Sequence, residues 1–543
     1  MKAATLRLYQ TLHTWVGLMA GWALFIAFFA GAITVFHEEL HAWQSPQRTA
    51  AHSPATQPAN PAALDRFMQA LVAAHPTSAA SAYVTLPTEH EPGFTAYWQG
   101  QAGEWHITTS AMIDGGKTTP KDIALDAAPE ELAAFINSLH YTLGVPVAGG
   151  YFMGVIAVLY GLALVSGVLL HLPRLKPDLF AIRPGRNLKR FWMDAHNVVG
   201  LFSLPFHLVF AITGAVLCLG LVLVMVFNVM AFDGKLSEAL PRLTTASPEL
   251  KASGRAAQPL PAATLLAAAR ASAGERFTPL SVRYQHYGDA NALIEIRGDS
   301  ARVLGNYGSV SVHAAAGQPD SGSVLADQTA AGRDSNHAIF SMIYALHFGT
   351  YGDLALRLVY LLAGLAGAFL FYSGNLLWIE SRRKTRQQAQ PRVHRLLAQA
   401  TVGVCIGCCI GVAAAFCGAL LWPARASSHT YFPVFFAALG WALMRAPARA
   451  AIELLWAAAV AALLVPLVNA LVTGDFLWRA ALAGHWAVAG FDIGALALAC
   501  GFAALAWVTQ RRARNGPPNS VWAMQKKPRP DVADAAAAGS TAG

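Results

Sequence analysis

Charge is scarce in this chain: only 13% of its 543 residues are Asp, Glu, Lys or Arg, against 55% apolar. That is too little to solvate the surface of a soluble protein of this length. Cysteine is scarce outside the apolar runs. Cys218, Cys405, Cys408, Cys409, Cys417 and Cys500 all lie within them, so neither long polar segment has a disulfide framework. No glycine-rich dinucleotide fingerprint occurs, and every short basic segment is too small for a flavin or nicotinamide domain, so any reductant must come from outside the chain. The first apolar run lacks a small-residue cleavage site and is expected to persist as a span.

What is present is a series of apolar runs able to cross about 30 Å of hydrocarbon. They lie near Trp15–Phe36, Gly149–His171, Val198–Leu223, Leu354–Trp378, Leu396–Leu421, Tyr431–Met444, Ala450–Val472 and His485–Val508. The expected fold is a polytopic α-helical membrane protein of about eight spans, the sixth a short one. The net charge of +9 does not point to nucleic acid, because the basic residues cluster at span ends: Lys2 and Arg7, Arg174 to Arg190, Arg382 to Arg395, Arg445 and Arg449, and Arg511 to Arg514. The positive-inside rule makes those segments, and both termini, cytoplasmic.

The expected order is span 1 (1–36), an outside domain (37–148), span 2 (149–171), a cytoplasmic loop (172–195), span 3 (196–231), a second outside domain (232–352), span 4 (353–379), a loop (380–395), an appended four-span module (396–509) and a disordered tail (510–543). In the first outside segment a linker (Ser53 to Pro61) precedes a helix (Ala62–Ala74), strands (Ser81–Leu86, Phe94–Gln99, Glu104–Ser110) and a turn at Asp114 to Gly116. The second repeats that order: a linker near Gln258, a helix (Ala262–Ala273), then strands (Leu280–Tyr284, Ala292–Arg297, Ser309–Ala314). Each resembles the small α+β module called PepSY.

The spans are duplicated too. HTWVGL from His13 and HNVVGL from His196 stand 183 residues apart, and so do Gly31 and Gly214. Leu139-His140 and Leu346-His347 stand 207 apart, as do the Ser-Gly-x-Leu-Leu ends at Ser166 and Ser373. A constant offset through whole spans marks an internal repeat of the first four. Both copies run outward first, so equivalent residues lie at equal depth. His13 with His196 near the inner face, and His140 with His347 near the outer, then form two candidate bis-histidine sites suited to b-type haem, probed against the plainer reading of interfacial polar anchors. His207 follows His196 by 11 residues; on a continuous helix it falls on nearly the same face about 16 Å deeper. It is a substitute ligand, a haem neighbour or a residue bonded to a carbonyl. His171, opposite Trp378 in the repeat, reads as an anchor. His37 and His41 beside Glu38 and Glu39 read as solvated linker residues rather than a metal site. Cys405, Cys408 and Cys409 read as small-residue helix packing rather than a redox motif.

HTWVGL with Phe36 and Glu38, Leu139-His140, DAHNVVGL (Asp194 to Leu201) with Thr213-Gly214, and LHFGTYG (Leu346 to Gly352) together resemble the PepSY-associated transmembrane family of bacterial iron-regulated proteins, over roughly residues 6 to 384. The resemblance implies an inner-membrane protein with two haem b groups, an external electron donor (quinol or soluble reductase), and a ferric siderophore or other ferric chelate as substrate in the periplasm. His171 and the four added spans depart from that pattern. Two other readings stand beside it. One is a non-enzymatic membrane protein binding peptide or protein through its PepSY-like domains; the other is a siderophore or iron permease component, with Glu453 as an intramembrane charge.

Overall fold

The computed structural model describes residues 2–44, 60–87, 93–101, 103–110, 131–179, 183, 188–235, 250–384 and 390–524. The Asp114 to Gly116 turn, most of the linker from Ser53 and the end of the tail lie outside them. The main helices are α1 (Ala3–Thr34), α2 (His37–Gln44), α3 (Pro61–Ala74), α4 (Leu132–Thr142), α5 (Ala148–His171), α6 (Leu188–Phe202), α7 (Leu204–Ala231), α8 (Ala262–Ala273), α9 (Ser335–Phe348), α10 (Leu354–Ser381), α11 (Arg392–Leu421), α12 (Ser428–Met444), α13 (Pro447–Thr473), α14 (Leu477–Ala483) and α15 (Trp486–Asn515).

Six of them, α1, α5, α10, α11, α13 and α15, are long and apolar enough to cross a membrane, and the pair α6–α7 makes a seventh if counted as one span. The expected straight third span is therefore corrected: it bends by 66° between α6 and α7. Pro205 is the cause. It has no N–H for the carbonyl four residues back, its ring crowds that turn, and it pushes the preceding residue away from helical geometry. The expected sixth span, α12, has 17 residues with Pro433 inside it; its rise of about 26 Å is short of the hydrocarbon thickness.

The chain divides into two compact units: residues 1–29, 162–203 and 366–543 in one, 30–161 and 204–365 in the other. In the second unit the two polar segments do not make two separate modules. Strands β1 (Ser81–Thr85), β2 (Thr95–Gln99), β3 (Trp105–Thr109), β4 (Phe277–Gln285), β5 (Leu293–Ser300), β6 (Tyr307–His313) and β7 (Val324–Asp327) form one antiparallel sheet in the order β3-β2-β1-β4-β5-β6-β7. The segments join where β1 pairs with β4, Ala82 opposite Tyr284. Strand alternation explains the fusion. Ala82, Val84, Ala96, Trp98, Val282, Tyr284, Ile294, Ile296, Val310 and Val312 all point to one face, and α3 and α8 cover that face with Leu64, Phe67, Met68, Leu71, Leu265 and Leu266 in a single core. The apolar residues of α3 recur at helical spacing, and Asn60 caps its first turn by accepting from the Ala62 N–H at 3.1 Å.

In the first unit α11 packs on α12 through Gly403, Gly407 and Gly411. A Cβ on these would lie 2.8 Å from Leu439, 3.2 Å from Ala438 and 2.9 Å from Tyr431. That is small-residue packing at i, i+4, i+8, and it is the setting of the buried Cys405, Cys408 and Cys409.

Candidate functional site: two histidine pairs

His13 lies on α1 and His196 on α6, within the first unit. The His13 Nδ1–H donates to the Ala163 carbonyl of α5 at 2.8 Å. A carbonyl only accepts, so the proton is on Nδ1 and the Nε2 lone pair is left open. His196 is fixed in the same way. Its Nδ1 meets the Ser373 hydroxyl of α10 at 3.0 Å, and that hydroxyl spends its own proton on the Leu370 carbonyl at 3.2 Å. Ser373 therefore accepts from Nδ1–H, and Nε2 is again open. Ser166, the repeat counterpart of Ser373, donates to the Ala163 carbonyl at 3.0 Å, the same oxygen that holds His13.

The other pair lies in the second unit. His140 and His347 stand near the C-terminal ends of the short helices α4 and α9, which stop in left-handed residues, Leu143 at φ 56° and Gly349 at φ 68°. The glycine suits that conformation. The imidazole centroids are 5.8 Å apart. Thr213 of α7 donates to the Val209 carbonyl at 2.6 Å and stands 2.8 Å from His347 Nδ1. Its hydroxyl proton is thus engaged, and it accepts from His347 Nδ1–H. Three of the four histidines are accordingly held as the tautomer with Nε2 free to ligate, by partners on neighbouring helices.

A glycine lies against every one of the four rings. A Cβ on Gly31 would come 2.6 Å from His140 Nδ1, on Gly167 3.1 Å from His13, on Gly374 3.4 Å from the His196 ring and on Gly214 3.7 Å from that of His347. Gly31 and Gly214 are repeat counterparts, as are Gly167 and Gly374. The register marks of the sequence are thus the places where a helix backbone comes close to an imidazole.

The remaining histidines fall elsewhere. His207 is fully buried on α7, edge-on to Tyr160 at 6.0 Å. It follows the helix break at Ser203, so it is on a different helix, α7, from His196 on α6. His171, at the C-terminal end of α5, interacts electrostatically with both His13 and His196. Its counterpart Trp378 packs against Trp15 and His394 with Arg382 above it. His37 and His41 sit on α2 rather than in a linker, their rings 4.8 Å apart, with His41 bonded to Glu131 at 2.9 Å. Glu453 is exposed beside Arg445 and Trp441. The fully buried carboxyl of the added helices is Asp492, which accepts from Asn469 Nδ2 at 3.1 Å; an acidic residue within the eighth apolar run is the sequence signal for it.

Residues 10–381 match the model of the PepSY-associated TM region. The chain belongs to that family. An uncharacterized protein of Pseudomonas aeruginosa is 28% identical over 380 residues, 68% of this chain and 85% of that protein. All four paired histidines and all four glycines of this PepSY-associated chain lie inside the matched residues, while α11 to α15 lie beyond them. It is a multi-pass membrane protein.

The donor sets suit a metal that brings most of its own ligands. Among the described residues no group of three or more His, Cys, Asp or Glu is placed to hold a bare ion, whereas a haem iron needs only two axial imidazoles. His140 and His347, with ring centres 5.8 Å apart, are the two imidazoles of the second unit that would serve such a group.

Proposed function

We propose that this chain is a haem-bearing inner-membrane reductase with both termini cytoplasmic, which moves electrons from a quinol or a soluble reductase to a ferric siderophore or other ferric chelate in the periplasm. The observation that carries the reading is the repeated support of the histidines: Nδ1 of His13, His196 and His347 is occupied by Ala163, Ser373 and Thr213. A glycine adjoins each of the four rings. A mere interfacial anchor needs neither feature. His13 and His196 would hold one haem, His140 and His347 the other. Haem bound there supplies reversible one-electron chemistry at each membrane face. Ala163, Ser373 and Thr213 would orient His13, His196 and His347 and leave Nε2 of each to meet the iron. One electron converts the chelated Fe(III) to Fe(II), a softer ion that hard oxygen donors hold less well, so the metal is released.

The test is an absorption spectrum of the purified protein, oxidised and then reduced with dithionite. Expected are Soret and α bands of b-type haem, half lost in His13→Ala, half lost in His347→Ala and absent from the double variant. Reduction of a ferric chelate by the reconstituted protein completes the case. A colourless wild-type protein refutes the reading and leaves a non-enzymatic or permease role.

A further inference from the structure

At the end of the first unit that the proposed orientation makes cytoplasmic, three stretches far apart in the chain meet: the close of α10, the start of α11, and the close of α15 with the residues after it. The backbone turns back beyond Asn515, so that the Met524 N–H donates to the Ala513 carbonyl at 2.8 Å. Asn519 donates through Nδ2 to the Lys384 carbonyl and accepts through Oδ1 from Arg383, each at 3.0 Å. The Val521 N–H donates to Gln390 Oε1 at 2.9 Å, and Gln390 Nε2 donates to the Ile379 carbonyl at 3.0 Å.

The surface built this way is net positive. Residues 379–395 and 508–524 contain one carboxylate, Glu380. It is buried and accepts from Arg383 Nε at 2.7 Å and from the Ser520 hydroxyl at 3.2 Å, so its charge is matched within the fold. Arg382, Lys384, Arg392, Arg395 and Arg511 are exposed. Elsewhere at this end Asp194 and Glu453 are paired with Arg183 and Arg445, and Asp178 stands in the chain among Arg174, Lys176 and Arg183. Past Met524, Lys526, Lys527 and Arg529 outnumber Asp531 and Asp534. The positive-inside rule accounts for basic residues at span ends. It does not require a segment beyond the last helix to fold back, bond both neighbouring ends and cover the one acid among them.

The patch adjoins the inner histidine pair. Helix α10 sets Ser373 and Gly374 against His196, and eight residues on, about 12 Å along the helix, it ends at Ser381 beside Arg382. The Arg382 guanidinium carbon lies 4.0 Å from the centre of the Trp378 ring, and that ring is 6.1 Å from Trp15 on α1, two residues from His13.

We infer that this basic face is the docking surface for the electron donor, and that the donor is a small acidic protein carrying a one-electron centre, an iron–sulfur cluster or a flavin. Opposite charge steers such a partner to the face and holds it in register. The inference rests on the reductase reading and narrows its donor to a soluble protein. The reduced carrier loses one electron and the haem site of His13 and His196 gains it; no proton is transferred and no bond is formed or broken.

The full-length protein in nanodiscs of neutral phosphatidylcholine is titrated with a plant-type [2Fe–2S] ferredoxin and, separately, with a flavodoxin, both acidic one-electron carriers. Binding is read by calorimetry. At least one should bind, more weakly as salt rises, and cytochrome c, a basic carrier, should not. The combined Arg382→Glu, Arg392→Glu and Arg511→Glu variant should bind about tenfold or more weakly and, with the haem spectrum intact, should be reduced correspondingly more slowly by the reduced carrier in stopped flow. Arg425→Glu, exposed beyond the opposite end of α11, should leave both readings unchanged. Binding of neither carrier, binding indifferent to salt, or an equal loss in Arg425→Glu overturns the inference. So does a triple variant that binds the carrier normally but loses phosphatidylglycerol retained by the wild type in native mass spectrometry, which would assign the patch to lipid. A protein with the haem spectrum that binds no carrier leaves the reductase reading with quinol as donor; one that binds the carrier but is colourless keeps this surface and refutes the reductase reading.

Discussion

Thr213→Val is the sharpest probe of the outer pair. Valine keeps the branched shape of a side chain that is only 3% exposed, so packing is nearly conserved, and what goes is the oxygen that accepts from His347 Nδ1–H at 2.8 Å. A buried donor left without its acceptor costs about 1–3 kcal/mol. Loss of a partner that orients a metal-ligating imidazole typically weakens metal binding about 10–100-fold, which is about 1.4–2.8 kcal/mol. The two magnitudes agree, so haem affinity at the outer site should fall by that factor while the inner site stays loaded. The assay is haem titration of the apoprotein followed in the Soret band, with the reduced-minus-oxidised spectrum reporting the fraction of each site filled. Thr401→Val, which removes the hydroxyl bonded to Trp22, serves as the control for loss of any buried threonine oxygen. Unchanged outer-site affinity in Thr213→Val, or an equal loss in Thr401→Val, would refute the argument that Thr213 sets the tautomer of His347.

The glycine contacts predict a graded response. Gly31→Ala would place a methyl 2.6 Å from the His140 ring and must displace it, whereas Gly214→Ala comes only to 3.7 Å of His347; the first should lose outer-site haem and the second keep it, as read by haem content, and equal retention in both would contradict the close approach. Asp299 supplies a pH dependence: burial, with Glu38 adding to it, raises its carboxyl to about 6. A raised acid contributes stability that is fully present below its unfolded value of about 3.9 and lost as pH rises through about 6. Thermal unfolding should therefore find Asp299→Asn more stable relative to wild type at pH 7.5 than at pH 4.5, and a difference independent of pH would show that the carboxyl is not perturbed.

Much of this architecture was legible in the residues. Long apolar runs with basic ends dictate membrane helices because an unpaired backbone cannot cross hydrocarbon, and the helices Pro61–Ala74 and Ala262–Ala273 with their following strands could be read from periodicity and turn chemistry. The constant offsets suggested pairing His13 with His196 and His140 with His347, and the rings of His140 and His347 do lie 5.8 Å apart. The break at Ser203 was also written in the sequence, in Pro205, and it puts His207 on a separate helix. Other features are properties of packing. That the two polar segments share one sheet depends on β1 finding β4, nearly 200 residues away, and strand pairing between distant segments leaves no local mark. The roles of Ser166, Ser373 and Thr213 and of the four glycines depend on which helix lies next to which. The sequence by itself determined that four histidines recur at two constant offsets; only the tertiary structure decided that each has a neighbouring backbone close against it and that three have Nδ1 engaged, because a proton's place on an imidazole is set by the atom it meets across a helix contact.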